Sequence, residues 1–137
     1  MPRSGLKVDI EDVLDDMDRF IAKEIVGLTF EIHAELVEST PLDLGWARAN
    51  FVPQVTVPYR ENLKDAEPSS GAASNRASSN ITKLGQIAAS YRLGNGPLFI
   101  SNNVPYIGRL NDGHSKQAPP GYIPMAIDRA VEAKKGL

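Results

Sequence analysis

The sequence predicts an α+β fold: a long N-terminal helix, a small and mostly antiparallel sheet, and two further helices on one face. A long stretch near the N-terminus repeats apolar residues at a spacing of three or four, which is helical. Two short stretches, one alternating and one continuously apolar, read as strands, and two later stretches return to helical spacing. Helices interspersed with few strands are typical of this class. Residues 1–137 are expected to form a single domain.

The composition is that of an ordinary globular protein. Apolar residues make up 42% of the chain, charged residues 23%, and the net charge is −2, so no general attraction to nucleic acid is expected. Cysteine is absent, which excludes disulfides and thiolate chemistry and argues against zinc. No apolar leader follows Met1, and the longest apolar runs fall far short of a membrane span. We therefore expect no membrane partner.

The first helix is predicted from residue 9 to residue 38, with Asp9 as its N-cap and Ser39-Thr40-Pro41 ending it. Such a helix would be roughly 45 Å long, more than a compact small domain covers, so part of it is expected to pack on another subunit. Its apolar residues form one stripe: Ile10, Leu14, Met17, Ile21, Ile25, Leu28, Ile32 and Leu36.

Six acids lie between residues 9 and 18, at the start of this helix. They could form a metal site, or an acidic surface that repels DNA in a channel. We favour a third interpretation, a solvated helix face, since acids are stabilised by the positive end of the helix dipole. The sequence leaves these interpretations open.

A strand is predicted over residues 50–59, where apolar residues alternate. Pro53 and Pro58 each remove a hydrogen-bond donor, so the strand is expected at an edge or with a bulge. Trp46, the single tryptophan, precedes it and is predicted to anchor the core or a subunit interface. The residues that share one face are Phe51, Val55, Val57 and Tyr59.

Residues 60–80 are rich in Ser, Ala, Asn, Gly and charge, and are predicted to be an extended loop held as an arm against a neighbouring subunit. A second helix is then predicted, with Ser79 or Asn80 as its cap. Gly94-Asn95-Gly96-Pro97 turns the chain into a strand at residues 98–100. The apolar face of this helix is Ile81, Leu84, Ile87, Ala88 and Tyr91.

Residues 101–121 are predicted to hold a short helix with Tyr106, Ile107 and Leu110 on its apolar face, ended by Gly113. A stiff connection rich in proline follows at residues 117–121. The last helix ends with Lys134 and Lys135, which suit the negative end of its dipole. Its apolar residues are Ile123, Ala126, Ile127, Ala130 and Val131.

Two blocks of this sequence, residues 40–51 and residues 102–121, resemble the neck and tail-completion proteins of long-tailed bacteriophages, a family of small tail components. The first is Thr40-Pro41-Leu42-Asp43-Leu44-Gly45-Trp46-Ala47-Arg48-Ala49-Asn50-Phe51, which departs from the family pattern at Leu44 and Trp46. The second is marked by Asn102, Asn103, Pro105, Tyr106, Leu110, Asn111, Asp112, Gly113, Ser115, Gln117, Ala118, Pro119 and Gly121. Together the blocks cover about a quarter of the chain, in the family's order after a long N-terminal helix.

The resemblance implies a structural virion protein of the phage neck, assembled in the host cytoplasm, through whose ring DNA passes. It implies a sixfold homo-oligomeric ring between a head connector and a tail tube or terminator, although this sequence does not encode the number. Neither enzyme activity nor a cofactor nor a metal is expected. The residues expected to serve structure or interfaces are Trp46, Tyr106, Gly113, Pro119 and Gly121.

Three alternatives stay open. The sequence does not separate tail completion from a tail-terminator ring. A small hydrolase would use Ser115 and His114, but Asp112, His114 and Ser115 are contiguous, whereas triads join distant segments. The other histidine, His33, is expected on the polar side of the first helix. A regulatory binding module is the third alternative.

Overall fold

The computed structural model describes residues 6–41, 46–61, 72–113 and 115–136. The predicted α+β class, with a long N-terminal helix and a small antiparallel sheet, is confirmed. In chain order the elements are α1 (Leu6–Ser39), α2 (Trp46–Ala49), β1 (Val52–Val55), α3 (Ala72–Ser90), a 3₁₀ turn (Leu93–Asn95), β2 (Leu98–Ser101), α4 (Ile107–Asn111) and α5 (Tyr122–Lys135).

Helix α1 is the longest described element, with 34 residues and therefore a length of about 50 Å. It begins at Leu6, so the prediction of Asp9 as its N-cap is wrong. None of Leu6, Lys7 and Val8 breaks a helix, and propensity alone fixes helix ends poorly.

Helix α5 packs antiparallel against the C-terminal half of α1. Lys134 Nζ near the end of α5 lies 3.2 Å from Glu24 Oε2, and Arg129 Nε donates to Glu35 Oε2 at 3.0 Å. Ala126 and Ala130 are fully buried, and their small side chains let the helices approach closely. The half of α1 before Glu24 extends beyond this contact.

The sheet pairs β1 with β2 antiparallel, with Val52 opposite Ser101 and Val55 opposite Leu98. Both strands of a two-stranded sheet are edges, so the edge position predicted for Pro53 is confirmed. The strand predicted over 50–59 ends early, because Thr56 adopts a left-handed conformation with φ 77°. Its N–H donates to Pro97 O at 2.9 Å and its hydroxyl to Asn95 O at 2.7 Å.

Helix α3 begins at Ala72, so the prediction of an extended loop over 60–80 is wrong for residues 72–80. Residues 62–71 of that predicted arm lie outside the described residues. The predicted cap at Ser79 or Asn80 is also wrong, because both lie within the helix. Alanines start the segment and no proline or glycine interrupts it before Gly85, which explains why the helix extends this far.

Two apolar clusters lie along α1. One joins Ala22 to Ile87 and Tyr91 of α3 and the segment after it. The other joins Leu36 to Phe51 beside β1 and Ala126 of α5. Both clusters contact the middle and C-terminal part of α1, so the predicted apolar stripe enters the core only from Ile25 onward.

Candidate assembly site

The two sequence blocks that carry the phage resemblance meet in space. The ring of Trp46, in α2, contacts the ring of Tyr106 edge-on, with centroids 5.6 Å apart and planes inclined by 64°. Both rings are half-buried, whereas the aromatic residue in the deepest position is Tyr122, which is 2% exposed. Residues 46–51 and 101–113 therefore form one structural unit.

Asparagine side chains fasten the short helix α2. The amide of Asn102 donates to Ala47 O at 2.8 Å, and the amide of Asn80 donates to Ala49 O at 2.8 Å. Asn50 donates back to Trp46 O at 2.9 Å. A four-residue helix has almost no internal hydrogen bonds, so side chains from α3 and from the residue after β2 satisfy the carbonyls that it leaves open.

The connection from α4 to α5 is held by Asn111. Its main-chain oxygen accepts from the N–H of Gly121 at 2.6 Å, and its side-chain Oδ1 accepts from the N–H of Ile123 at 2.9 Å. Gly121 is the N-cap of α5, with φ 75°, and has no side chain with which to cap the helix. Asn111 supplies the missing acceptor from outside the helix.

Gly113 ends α4 with φ 95°, as the sequence predicts. A Cβ at this position would lie 2.6 Å from Pro120 Cγ, so glycine is needed for both conformation and space. Pro119 is exposed, beside the buried Ala118. Of the five residues expected to serve structure or interfaces, Trp46, Tyr106, Gly113 and Gly121 occupy structural positions, and Pro119 lies on the surface.

The residues considered for hydrolysis do not form a described catalytic group. Ser115 Oγ accepts from the N–H of Gln117 at 3.1 Å, a local turn contact, and His114 lies outside the described residues. Among the described residues, no group of three His, Asp or Glu side chains is placed to hold a metal ion.

His33 is buried, at 6% exposure, so its expected place on the polar side of α1 is wrong. Its Nε2 lies 3.0 Å from Phe51 O, to which it donates. Burial lowers the pKa of the imidazole below its usual range, although the bond to the carbonyl opposes this shift. Burial therefore favours the neutral form of the imidazole, and the ring links α1 to the residue before β1.

The acids at the start of α1 include a pair held by one arginine. Arg92, which follows α3, donates through Nη2 to Asp15 Oδ1 at 2.9 Å and to Asp18 Oδ2 at 3.1 Å. The hydrogen bond from Arg92 lowers the pKa of Asp15, and Arg19 adds to the effect. These contacts fasten the projecting half of α1 to the segment after α3.

The projecting half of α1 carries an apolar surface that the described residues leave largely uncovered. We call it the α1 stripe; its members are between 42% and 64% exposed. Contiguous exposed apolar patches of this kind mark interaction surfaces in proteins. The stripe consists of Ile10, Val13, Leu14, Met17, Phe20 and Ile21.

Sequence reasoning identified four members of the α1 stripe, as part of a longer stripe, but missed Val13 and Phe20. It also missed Asn80, Asn102 and His33 as structural links. Their partners are main-chain carbonyls distant in sequence, and no local sequence pattern predicts such contacts.

Comparisons of the chain with family models, with curated proteins and with solved structures found no match. None of the helices within the described ranges is both long enough and apolar enough to cross a membrane.

Proposed function

We propose that this chain is a structural subunit of a bacteriophage neck: a tail-completion or head–tail joining protein that forms a ring through which DNA passes. The observation that carries the proposal is the α1 stripe. A chain that assembles with copies of itself or with other virion proteins needs an apolar surface that its own fold leaves open.

The resemblance of residues 40–51 and 101–121 to the phage family supports the same reading, because these blocks contact each other. Their contacts are the Trp46–Tyr106 ring pair and the bond from Asn102 to Ala47 O. A fixed unit of this kind suits a subunit whose task is to present constant surfaces to the layers above and below it.

The mechanism is burial of subunit interfaces. A head-to-tail contact between identical subunits closes into a ring when its rotation fits a whole number of copies. Head connector and tail tube, or a terminator, would bind the two faces, and the lumen needs only to be free of DNA-binding surfaces.

A tail-terminator ring is the second candidate. A terminator ring would also assemble through the exposed α1 stripe, so self-association is expected for both candidates. The two differ in the layer of the virion neck that the ring contacts. Gene order would separate the two candidates, since a gene between those of the head connector and the major tail tube favours tail completion.

The test is complementation of a phage that lacks the gene. We expect the natural chain to restore infectious particles, and its loss to leave filled heads and tails unjoined in electron micrographs. Ser115→Ala and His114→Ala should complement like the natural chain, whereas Gly113→Val should not. Normal joining of heads and tails without the protein would overturn the proposal, and failure of the serine and histidine variants alone would favour a hydrolase.

A further inference from the structure

We infer that the α1 stripe of one copy docks into a groove on a second copy, between the C-terminal half of α1 and α3. We call this second surface the α1–α3 groove. The inference deepens the proposed neck function and rests on it for its biological role. Its polar lining residues include Arg48 and Glu38. Its apolar lining residues are Phe30, Ala34, Val37, Ile81 and Leu84.

Two large apolar side chains in the groove are exposed to solvent. Ile81 of α3 is 63% exposed and Phe30 of α1 is 37% exposed. The surface of α3 around Ile81 has small residues, Ser78 and Gly85, and a Cβ built at Gly85 would meet no atom within 4 Å. A helix from outside can therefore lie close to α3 and cover Ile81.

The exposed areas match what a specific contact needs. Six side chains of this size, about half exposed, leave on the order of 500 Å² of apolar surface, at the upper end of the largest patch on a typical monomer. Together with the groove that would receive it, the contact would bury about 1,000 Å² in total, near the lower limit for a specific interface.

Charge favours docking into the groove over pairing of two stripes. Residues 9–21 hold six acids and one base, a net charge of −5, so two stripes face to face would bring like charges together. Helices α2 and α3 hold three bases, Arg48, Arg76 and Lys83, and no acid, and Glu38 of α1 is the acid among the groove's lining residues. The acidic half of α1 is therefore attracted to the part of a second copy that contributes α2 and α3.

Geometry makes the contact head-to-tail. At 3.6 residues per turn, the side of α1 that carries Met17 and Phe20 is rotated by about 120° from the side that carries Phe30 and Val37. The stripe also lies in the N-terminal half of the helix, and the groove in the C-terminal half. Docking one surface into the other leaves a free stripe and a free groove on each pair, and such a contact continues until a ring closes.

The experiment uses two variants of the full chain, one for each surface. Phe20→Glu places a charge in the stripe and Ile81→Glu places one in the groove; both residues are more than half exposed, so both variants are expected to fold. Gln86→Glu is the matched control, since Gln86 is exposed on α3 outside the groove. Far-ultraviolet circular dichroism checks folding, and sedimentation velocity gives the oligomeric state.

We expect the natural chain and Gln86→Glu to self-associate, and each surface variant alone to be monomeric. Mixing Phe20→Glu with Ile81→Glu should give one-to-one dimers, because each variant keeps the surface that the other has lost. If Ile81→Glu associates like the natural chain while Phe20→Glu does not, the stripe pairs with itself or docks elsewhere, and the inference is overturned.

A natural chain that stays monomeric up to about 1 mM would also overturn it, because a useful contact would be populated there. These outcomes leave the neck function to be judged separately by complementation. A neck protein that joins heads to tails by other contacts would still restore infectivity when Phe20→Glu replaces the natural chain.

Discussion

Trp46 and Tyr106 meet edge-on with ring centroids 5.6 Å apart, and this contact joins α2 to the segment that leads into α4. Asn102 strengthens the same junction through its bond to Ala47 O. The residues that carry the phage resemblance are thus neighbours in space, and their role is to fix one another. Four predictions concern this framework, and a fifth concerns assembly.

The first prediction is an energetic coupling between the two rings. A double-mutant cycle with Trp46→Ala and Tyr106→Ala should give a coupling of about 0.5–1.5 kcal/mol in urea unfolding, the usual range for aromatic pairs. Tyr106→Phe keeps the ring and should keep the coupling to Trp46. Additive effects of the two alanine substitutions would show that the rings contribute independently.

The second prediction concerns the buried amide of Asn80, which is 3% exposed and donates to Ala49 O. Asn80→Leu should lower the free energy of unfolding by about 1–3 kcal/mol, because the carbonyl loses its donor in a buried place. The neighbouring Ser79→Ala, at an exposed position, should change it by no more than about 0.5 kcal/mol. Equal effects at both positions would contradict the role given to Asn80.

The third prediction compares two glycines on either side of α4's C-terminal turn. Gly113→Ala should destabilise the chain by at least about 1–2 kcal/mol, since φ is 95° and the new Cβ would overlap Pro120. Gly108→Ala, inside α4 with open space around it, should stabilise by about 0.5–1 kcal/mol. Thermal unfolding of the two variants measures both changes in stability. A Gly113→Ala variant as stable as the natural chain would refute the geometry of this turn.

The fourth prediction is a loss of stability in acid that depends on His33. Burial lowers its folded-state pKa below 6.5, so the unfolded chain binds the proton more readily than the folded chain. The resulting stability is present above pH 6.5 and is lost as the pH falls through the lower folded-state pKa.

Urea midpoints measured between about pH 7 and pH 5 should therefore fall more steeply for the natural chain than for His33→Gln. Glutamine can keep a donor near Phe51 O but does not titrate in this range. Identical pH profiles for the two proteins would mean that His33 is protonated as easily in the fold as outside it.

The elements with strong periodicity or fixed turn chemistry were predictable from sequence. The stripe of α1, the edge position of Pro53 and the termination of α4 at Gly113 follow from local rules of spacing and backbone conformation. The start of α3 could not be predicted from the sequence, because its alanine, serine and asparagine residues also suit a loop. The burial of His33 depends on how β1 meets α1, and side-chain spacing does not contain that information.

The candidate site was predicted only in part. The length of α1 already indicated that some of it would pack on another subunit, and this stays a prediction. The sequence could not separate the stripe members that enter the core, such as Leu36, from those that remain open, such as Leu14, because both have the same period. The positions of α5, of α3 and of Phe51 beside β1, which cover the middle and C-terminal half of α1, distinguish them.

The most direct test of the account is the mass and shape of the natural chain in solution, by native mass spectrometry with electron microscopy of the same sample. The account predicts one closed oligomer of fixed copy number with a central opening, and its conversion to monomers by Phe20→Glu. A monomer at every concentration, or a symmetric dimer that survives Phe20→Glu, would contradict the claim that the α1 stripe builds a ring.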